Sequence, residues 1–167
     1  MMVQVALDVE GDPKLKTQVS RQHRDSEGVA CLAEVIGQAA CRVAEGVQAA
    51  AILAFTQTGS TAALVSKFRP SLPIFAVTPW PQVRRRLALY AGVHCMRVDI
   101  EGDTEAQIRA VEAAVLSTGW LKKGDVVVIT MGSPLSSPGT TNLMKVHQLA
   151  SQDAYAAHMF QGVGDQR

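Results

Sequence analysis

Residues 50–70, AAILAFTQTGSTAALVSKFRP, decide how this chain folds. Ala50 to Phe55 are small or apolar without a polar break, the pattern of a strand buried on both faces. Thr56 to Thr61 then make a polar turn with one glycine, and Ala62, Val65 and Phe68 recur at helical spacing until Pro70 forbids continuation. A strand that runs through a Ser/Thr/Gly turn into a helix directs backbone N–H groups and hydroxyls to one point, at the positive end of the helix dipole. Thr56, Gln57, Thr58, Gly59, Ser60 and Thr61 are therefore a candidate anion site. A second reading fits the same residues: a capped turn in which Ser60 or Thr61 satisfies only the N–H groups of its own helix. Neither GxxxxGK[ST] nor GxGxxG occurs in the chain, so no standard nucleotide-loop signature decides between them.

Working outward from this unit, Val29, Leu32, Ile36, Ala39, Ala40, Val43 and Val47 predict a long amphipathic helix from Ser26, with Gly46 as its C-cap. Downstream, Pro73–Thr78 predicts a second buried strand. Pro81 opens a helix with inner stripe Val83, Leu87 and Tyr90, closed by Gly92, and Val93–Val98 predicts a third strand. Thr104-x-x-Gln107 resembles a capping box for a helix with stripe Ile108, Val111 and Val115, stopped by Gly119. Asp125–Met131 is rich in β-branched residues and predicts a central strand, and Asn142–Leu149 predicts a last one. Strands alternating with helices imply an α/β fold: three layers, α/β/α, around a mostly parallel five-stranded sheet. The last strand is reached by a loop too short for a crossover helix, so it is expected antiparallel at an edge. Residues 1–25 read as a leader containing an alternating piece (Val3, Val5, Leu7, Val9), 26–149 as the domain, and 150–167 as a tail.

Composition narrows the function. The chain has 167 residues, 47% hydrophobic and 19% charged, which suits a single globular domain. Sixteen basic against fifteen acidic residues give a net charge of +1, so no global field draws nucleic acid or an anionic membrane. The longest apolar runs fall well short of the roughly 20 residues a membrane span needs. The odd cysteines Cys31, Cys41 and Cys95 lack metal spacing and read as buried free thiols, which points to a cytoplasmic setting.

Residues suited to catalysis are sparse. The loop GSPLSSPGTT, Gly132 to Thr141, carries small hydroxyl residues between glycines and prolines. Loops of this length in compact domains are frequently functional, so Gly132, Ser133, Ser136, Ser137, Gly139 and Thr140 join the candidate site. A solvated connection is the other reading. Arg84, Arg85 and Arg86 suit a phosphorylated ligand or an acidic partner, or simply a solvated helix face, which is the reading favoured here. The histidines, 23, 94, 147 and 158, lie far apart, no nucleophile–base set stands out, and no metal ligands are assigned. From residues alone the chain is an anion-binding α/β domain with no catalytic residues to assign.

The wording of three blocks adds a family. FTQTGSTAALVSKFRPSLPIFAVTP (55–79), RRLALYAGVHCM (85–96) and GWLKKGDVVVITMGSPLSSPGTTNLMKVHQL (119–149) resemble the C-terminal domain of pyruvate kinase, in order, over about Ser26 to Leu149. The resemblance implies a parent enzyme that transfers phosphate from phosphoenolpyruvate to ADP with Mg²⁺ and K⁺, on a TIM-barrel domain for which residues 1–24 are far too short. No activity is expected from this chain alone, and no cofactor. It also implies an allosteric effector whose phosphate sits in the turn matching Thr56 to Thr61, under a loop matching Gly132 to Thr141. Where members that respond to fructose 1,6-bisphosphate carry an arginine for the second phosphate, this chain has Gln107, with Arg109 nearby. A sugar monophosphate or a nucleotide monophosphate is the expected effector.

Other readings of the same residues are a stand-alone phosphate-binding protein, and a docking subunit for a separate barrel domain. Self-association is a further expectation. The strand at 142–149 has Lys145 as its one formally charged residue among Leu143, Met144, Val146 and Leu149, and such an edge invites a partner. The family resemblance implies a two-fold interface there, hence a homo-oligomer.

Overall fold

The computed structural model describes residues 31–99, 102–132 and 141–149. Nine elements follow one another: α1 (Leu32–Gly46), β1 (Ala51–Phe55), α2 (Ser60–Lys67), β2 (Ile74–Thr78), α3 (Pro81–Leu87), β3 (Val93–Arg97), α4 (Thr104–Ser117), β4 (Val126–Met131) and β5 (Leu143–Gln148). The alternating segment at Val3–Val9, the tail from Ala150, and Ser133, Ser136, Ser137, Gly139 and Thr140 lie outside the described residues.

The five strands form one sheet in the order β3-β2-β1-β4-β5. β1 pairs parallel with β2 and with β4, β2 pairs parallel with β3, and β5 runs antiparallel to β4 at the edge, as the short connection requires. The alternation of each strand divides the core in two. Ile52, Ala54, Ile74, Ala76 and Val128 face α1, α2 and α3, where Ala40, Ala44, Ala62, Val65 and Leu87 meet them. Leu53, Phe55, Phe75, Val77, Val127 and Ile129 face α4, through Ile108, Val111 and Val115. β1 and β2 are buried at every position, so their sequences run continuously apolar instead of alternating. No helix among the described residues is long and apolar enough to cross a membrane.

Local corrections concern where elements end. Gly46 is the last residue of α1 and not its stop; the left-handed conformation falls on Gln48 (φ 52°). The N–H of Ala49 bonds Ala44 O and that of Gln48 bonds Glu45 O, a paired closure that satisfies the last carbonyls of the helix. The cap of α4 is Asp103, whose carboxylate accepts the Ala106 N–H at 2.8 Å, one residue before the Thr104-x-x-Gln107 box. Tyr90 lies past the end of α3 and is exposed, because α3 ends at Leu87. Of the three cysteines only Cys41 is buried; Cys95 is half-buried and Cys31 exposed. Burial, with Glu45 nearby, pushes the Cys41 thiol up to about 12, so it stays protonated at neutral pH.

Candidate functional site

After β1 the chain builds β2 and β3 to one side; it then returns to lay β4 and β5 on the other. Neighbouring strands whose connections leave in opposite directions open a crevice at their carboxyl ends, which is where open α/β sheets take ligands. The 56–61 turn leaves β1 there, and Gly132 leaves β4 beside it.

Gly59 makes the turn possible. It occupies the left-handed region (φ 89°, ψ −6°) as the N-cap of α2, where no side chain caps the helix. The hydroxyls predicted as ligand groups divide into two kinds. Thr56 Oγ1 accepts the Gly59 N–H at 2.8 Å, and Thr61 Oγ1 bonds Thr141 Oγ1 at 2.9 Å; both threonines are buried, so their hydroxyls hold the turn together. Thr58 and Ser60 are exposed and bond each other, Oγ1 to Oγ, at 3.0 Å. Ser60 N–H reaches Thr58 Oγ1 at a long 3.4 Å. The first helical residues, Ser60, Thr61 and Ala62, have no intrahelical acceptor for their N–H groups by the geometry of a helix start. The groups left open to solvent are thus fewer than the sequence suggests: Thr58, Ser60 and the N–H groups of the first turn of α2. Gln57 is half-buried between the two inward threonines.

The Thr61–Thr141 bond also answers for the second predicted segment. It joins the first turn of α2 to the residue that follows the 132–140 loop, across eighty positions of sequence. Thr141 is therefore held at the crevice, where Gly132 leaves β4.

Arg84, Arg85 and Arg86 are all exposed, as a solvated face requires, but the end of the Arg86 side chain reaches back to the turn. A Cβ built on Gly59 would stand 3.0 Å from Arg86 Nη2, 3.3 Å from Leu87 Cδ2 and 3.3 Å from Val83 Cγ1. The guanidinium thus lies over the turn, and no carboxylate pairs with it among the described residues. Arg86 is three residues after Val83 and adjoins Leu87, so it stands at the border of the buried stripe, from which its long side chain reaches the turn while staying exposed. Gln107 does not join the site. Its Nε2 donates to Gly102 O at 2.8 Å, and α4 packs on the face of the sheet opposite α2. Among the described residues no three His, Cys, Asp or Glu side chains gather as a metal would need, so these side chains do not fit Mg²⁺.

These features define a class: a doubly wound α/β domain with a Ser/Thr/Gly turn at its switch point. The sequence profile of the pyruvate kinase alpha/beta domain matches residues 34–147, and the chain belongs to the pyruvate kinase family. The pyruvate kinase of Clostridium acetobutylicum is 44% identical over 113 residues, covering 68% of this chain and 24% of the relative. That of Geobacillus stearothermophilus is 37% identical over 142 residues, covering 81% and 24%. A crystal structure of a pyruvate kinase from Cryptosporidium parvum superposes with a TM-score of 0.70 at 28% identity, over 80% of this chain and 26% of that one. The chain therefore spans about a quarter of the length of these relatives and corresponds to their alpha/beta domain.

Proposed function

We propose that this chain is a regulatory and subunit-interface domain of the pyruvate kinase family, taking a sugar monophosphate or nucleotide monophosphate at the 56–61 turn. The reaction it serves is phosphate transfer from phosphoenolpyruvate to ADP, carried out by a barrel domain of the kind its full-length relatives imply. The observation that carries the reading is the position of Arg86. An exposed guanidinium that reaches Gly59 and the positive end of α2 act on the same small volume, and both favour a dianionic phosphate. Gln107, which bonds the loop before α4, offers no second cation, so one phosphate is preferred to two.

Ligand that binds only the folded state raises stability by RT ln(1 + [L]/Kd), about 2.7 kcal/mol at a hundredfold excess over Kd. In thermal melts, glucose 6-phosphate, ribose 5-phosphate and AMP are expected to raise Tm more than fructose 1,6-bisphosphate at equal concentration. Ser60→Glu sets a like charge against the phosphate and should abolish the shift, while Arg86→Gln should reduce it. An undiminished shift in Ser60→Glu, or no shift with any of the four, makes the turn a structural cap only.

The same proposal sets the subunit contact at β5, the last strand of the sheet. Ala50 N–H bonds Val126 O, so the even residues of β4 serve β1 and its odd ones serve β5. Leu143, Lys145 and His147 answer those, which turns the Met144 backbone to the outer edge. Sedimentation is expected to give about twice the 17.8 kDa chain mass. Met144→Pro, which deletes an edge N–H, should return it to one chain. A wild-type chain that remains monomeric at high micromolar concentration would overturn the assignment.

A further inference from the structure

One hydrogen bond joins the phosphate turn to the edge strand. Thr61 is the second residue of α2, and its N–H is among the donors left without an intrahelical acceptor at the helix start. Its hydroxyl meets that of Thr141 at 2.9 Å. Thr141 stands two residues before β5, and the residue between them, Asn142, already joins the sheet through its N–H to Met131 O at 3.2 Å. α2 packs over β1 and β2, whereas β5 lies beyond β4 at the far edge, so the hydroxyl pair reaches across β4 from one element to the other. Both threonines are closed to solvent, at 4% and 2% exposure. Water has no access to replace either partner, and breaking the bond deprives two buried hydroxyls of the partner each now has.

We propose that this bond couples the two events: phosphate at the turn and pairing of β5 with a second copy both favour the bonded arrangement, and so favour each other. The inference rests on the proposed function, which supplies both events. A phosphate that accepts the Thr61 N–H fixes the residue whose hydroxyl holds Thr141. A partner strand along β5 fixes the Met144 backbone three residues downstream, and with it the place of Thr141. Each event therefore orders the same pair of side chains, and the second meets a pair that the first has already ordered. Thermodynamic linkage makes the effect reciprocal.

Sedimentation equilibrium of the full chain, with and without glucose 6-phosphate, tests this. Each site is expected to bind glucose 6-phosphate at least about fivefold tighter in the dimer than in the monomer, so saturating both sites should lower the dimer Kd at least about 25-fold. Thr141→Val keeps the branched shape and removes the hydroxyl. It should bring both ratios close to one, with ligand binding and dimerisation each still measurable. Thr141→Ser keeps the hydroxyl and should retain the coupling. A wild-type dimer Kd unmoved by saturating glucose 6-phosphate overturns the proposal, as does coupling undiminished in Thr141→Val. Loss of coupling in both variants overturns it too, since it would trace the effect to the shape of residue 141. A wild type that binds no glucose 6-phosphate, or forms no dimer, removes the functional reading itself and this inference with it.

Discussion

Gly59→Val is expected to destabilise the domain by about 3 kcal/mol, lower Tm by roughly 10 °C and remove phosphate binding altogether. Two independent terms add. A β-branched residue at φ 89° is a conformational outlier that costs about 1–2 kcal/mol. Its side chain would also start within 3.0–3.3 Å of the side-chain ends of Arg86, Leu87 and Val83, and pushing these aside costs about 1–3 kcal/mol as overpacking does elsewhere, most of it at Leu87 and Val83. The second term acts on the site itself, since the displaced group is the guanidinium assigned to the phosphate. Gly46→Ala is the matched control. Gly46 lies in the last turn of α1 with nothing within 4 Å of its added Cβ and no positive φ, so alanine there should be neutral or stabilise by up to about 1 kcal/mol. Calorimetry on the two variants, with and without glucose 6-phosphate, checks both signs. A Gly59→Val protein that melts like the wild type would show that the turn rearranges at no cost.

Most of the fold was legible because its signals are local and redundant. β1 and β2 read as buried strands from continuous apolar runs, and α4 from Ile108, Val111 and Val115 at helical spacing. The antiparallel edge strand followed from loop length alone. Element ends were less legible, since Gln48 and Asp103 take roles that neighbouring Gly46 and Thr104 fill equally well on paper. The site was legible in position and not in its division of labour. Composition could not show that Thr56 and Thr61 spend their hydroxyls on Gly59 and Thr141, because the second of these partners lies eighty residues away. The run Arg84–Arg86 reads as a solvated face, and all three are exposed, but the reach of Arg86 to the turn was not legible. In a run of three arginines the charge says solvent, and only the position of α3 against α2 singles one of them out.

Phe55→Ala is expected to be the most damaging single truncation near the site, at about 3–5 kcal/mol. Phe55 is 1% exposed, ends β1, and packs in the α4-side core with Val77 and Ile129. Removing its ring leaves a cavity at the carboxyl end of the strand that both launches the turn and pairs with β2 and β4, where the backbone can collapse least. A domain of this size has about 5–15 kcal/mol in all, so the variant sits near the margin at 37 °C. The comparison with Gly59→Val separates fold from function. Phe55→Ala leaves Thr58, Ser60 and Arg86 in place, so a phosphate ligand at a hundredfold excess over Kd should restore about 2.7 kcal/mol of what was lost. Gly59→Val should gain nothing from the same ligand, although it begins more stable. Melts of both variants across a ligand series decide the point. If Phe55→Ala shows no ligand-dependent recovery while the wild type does, then β1 positions the turn more tightly than its backbone pairing implies, and the ring itself belongs to the site.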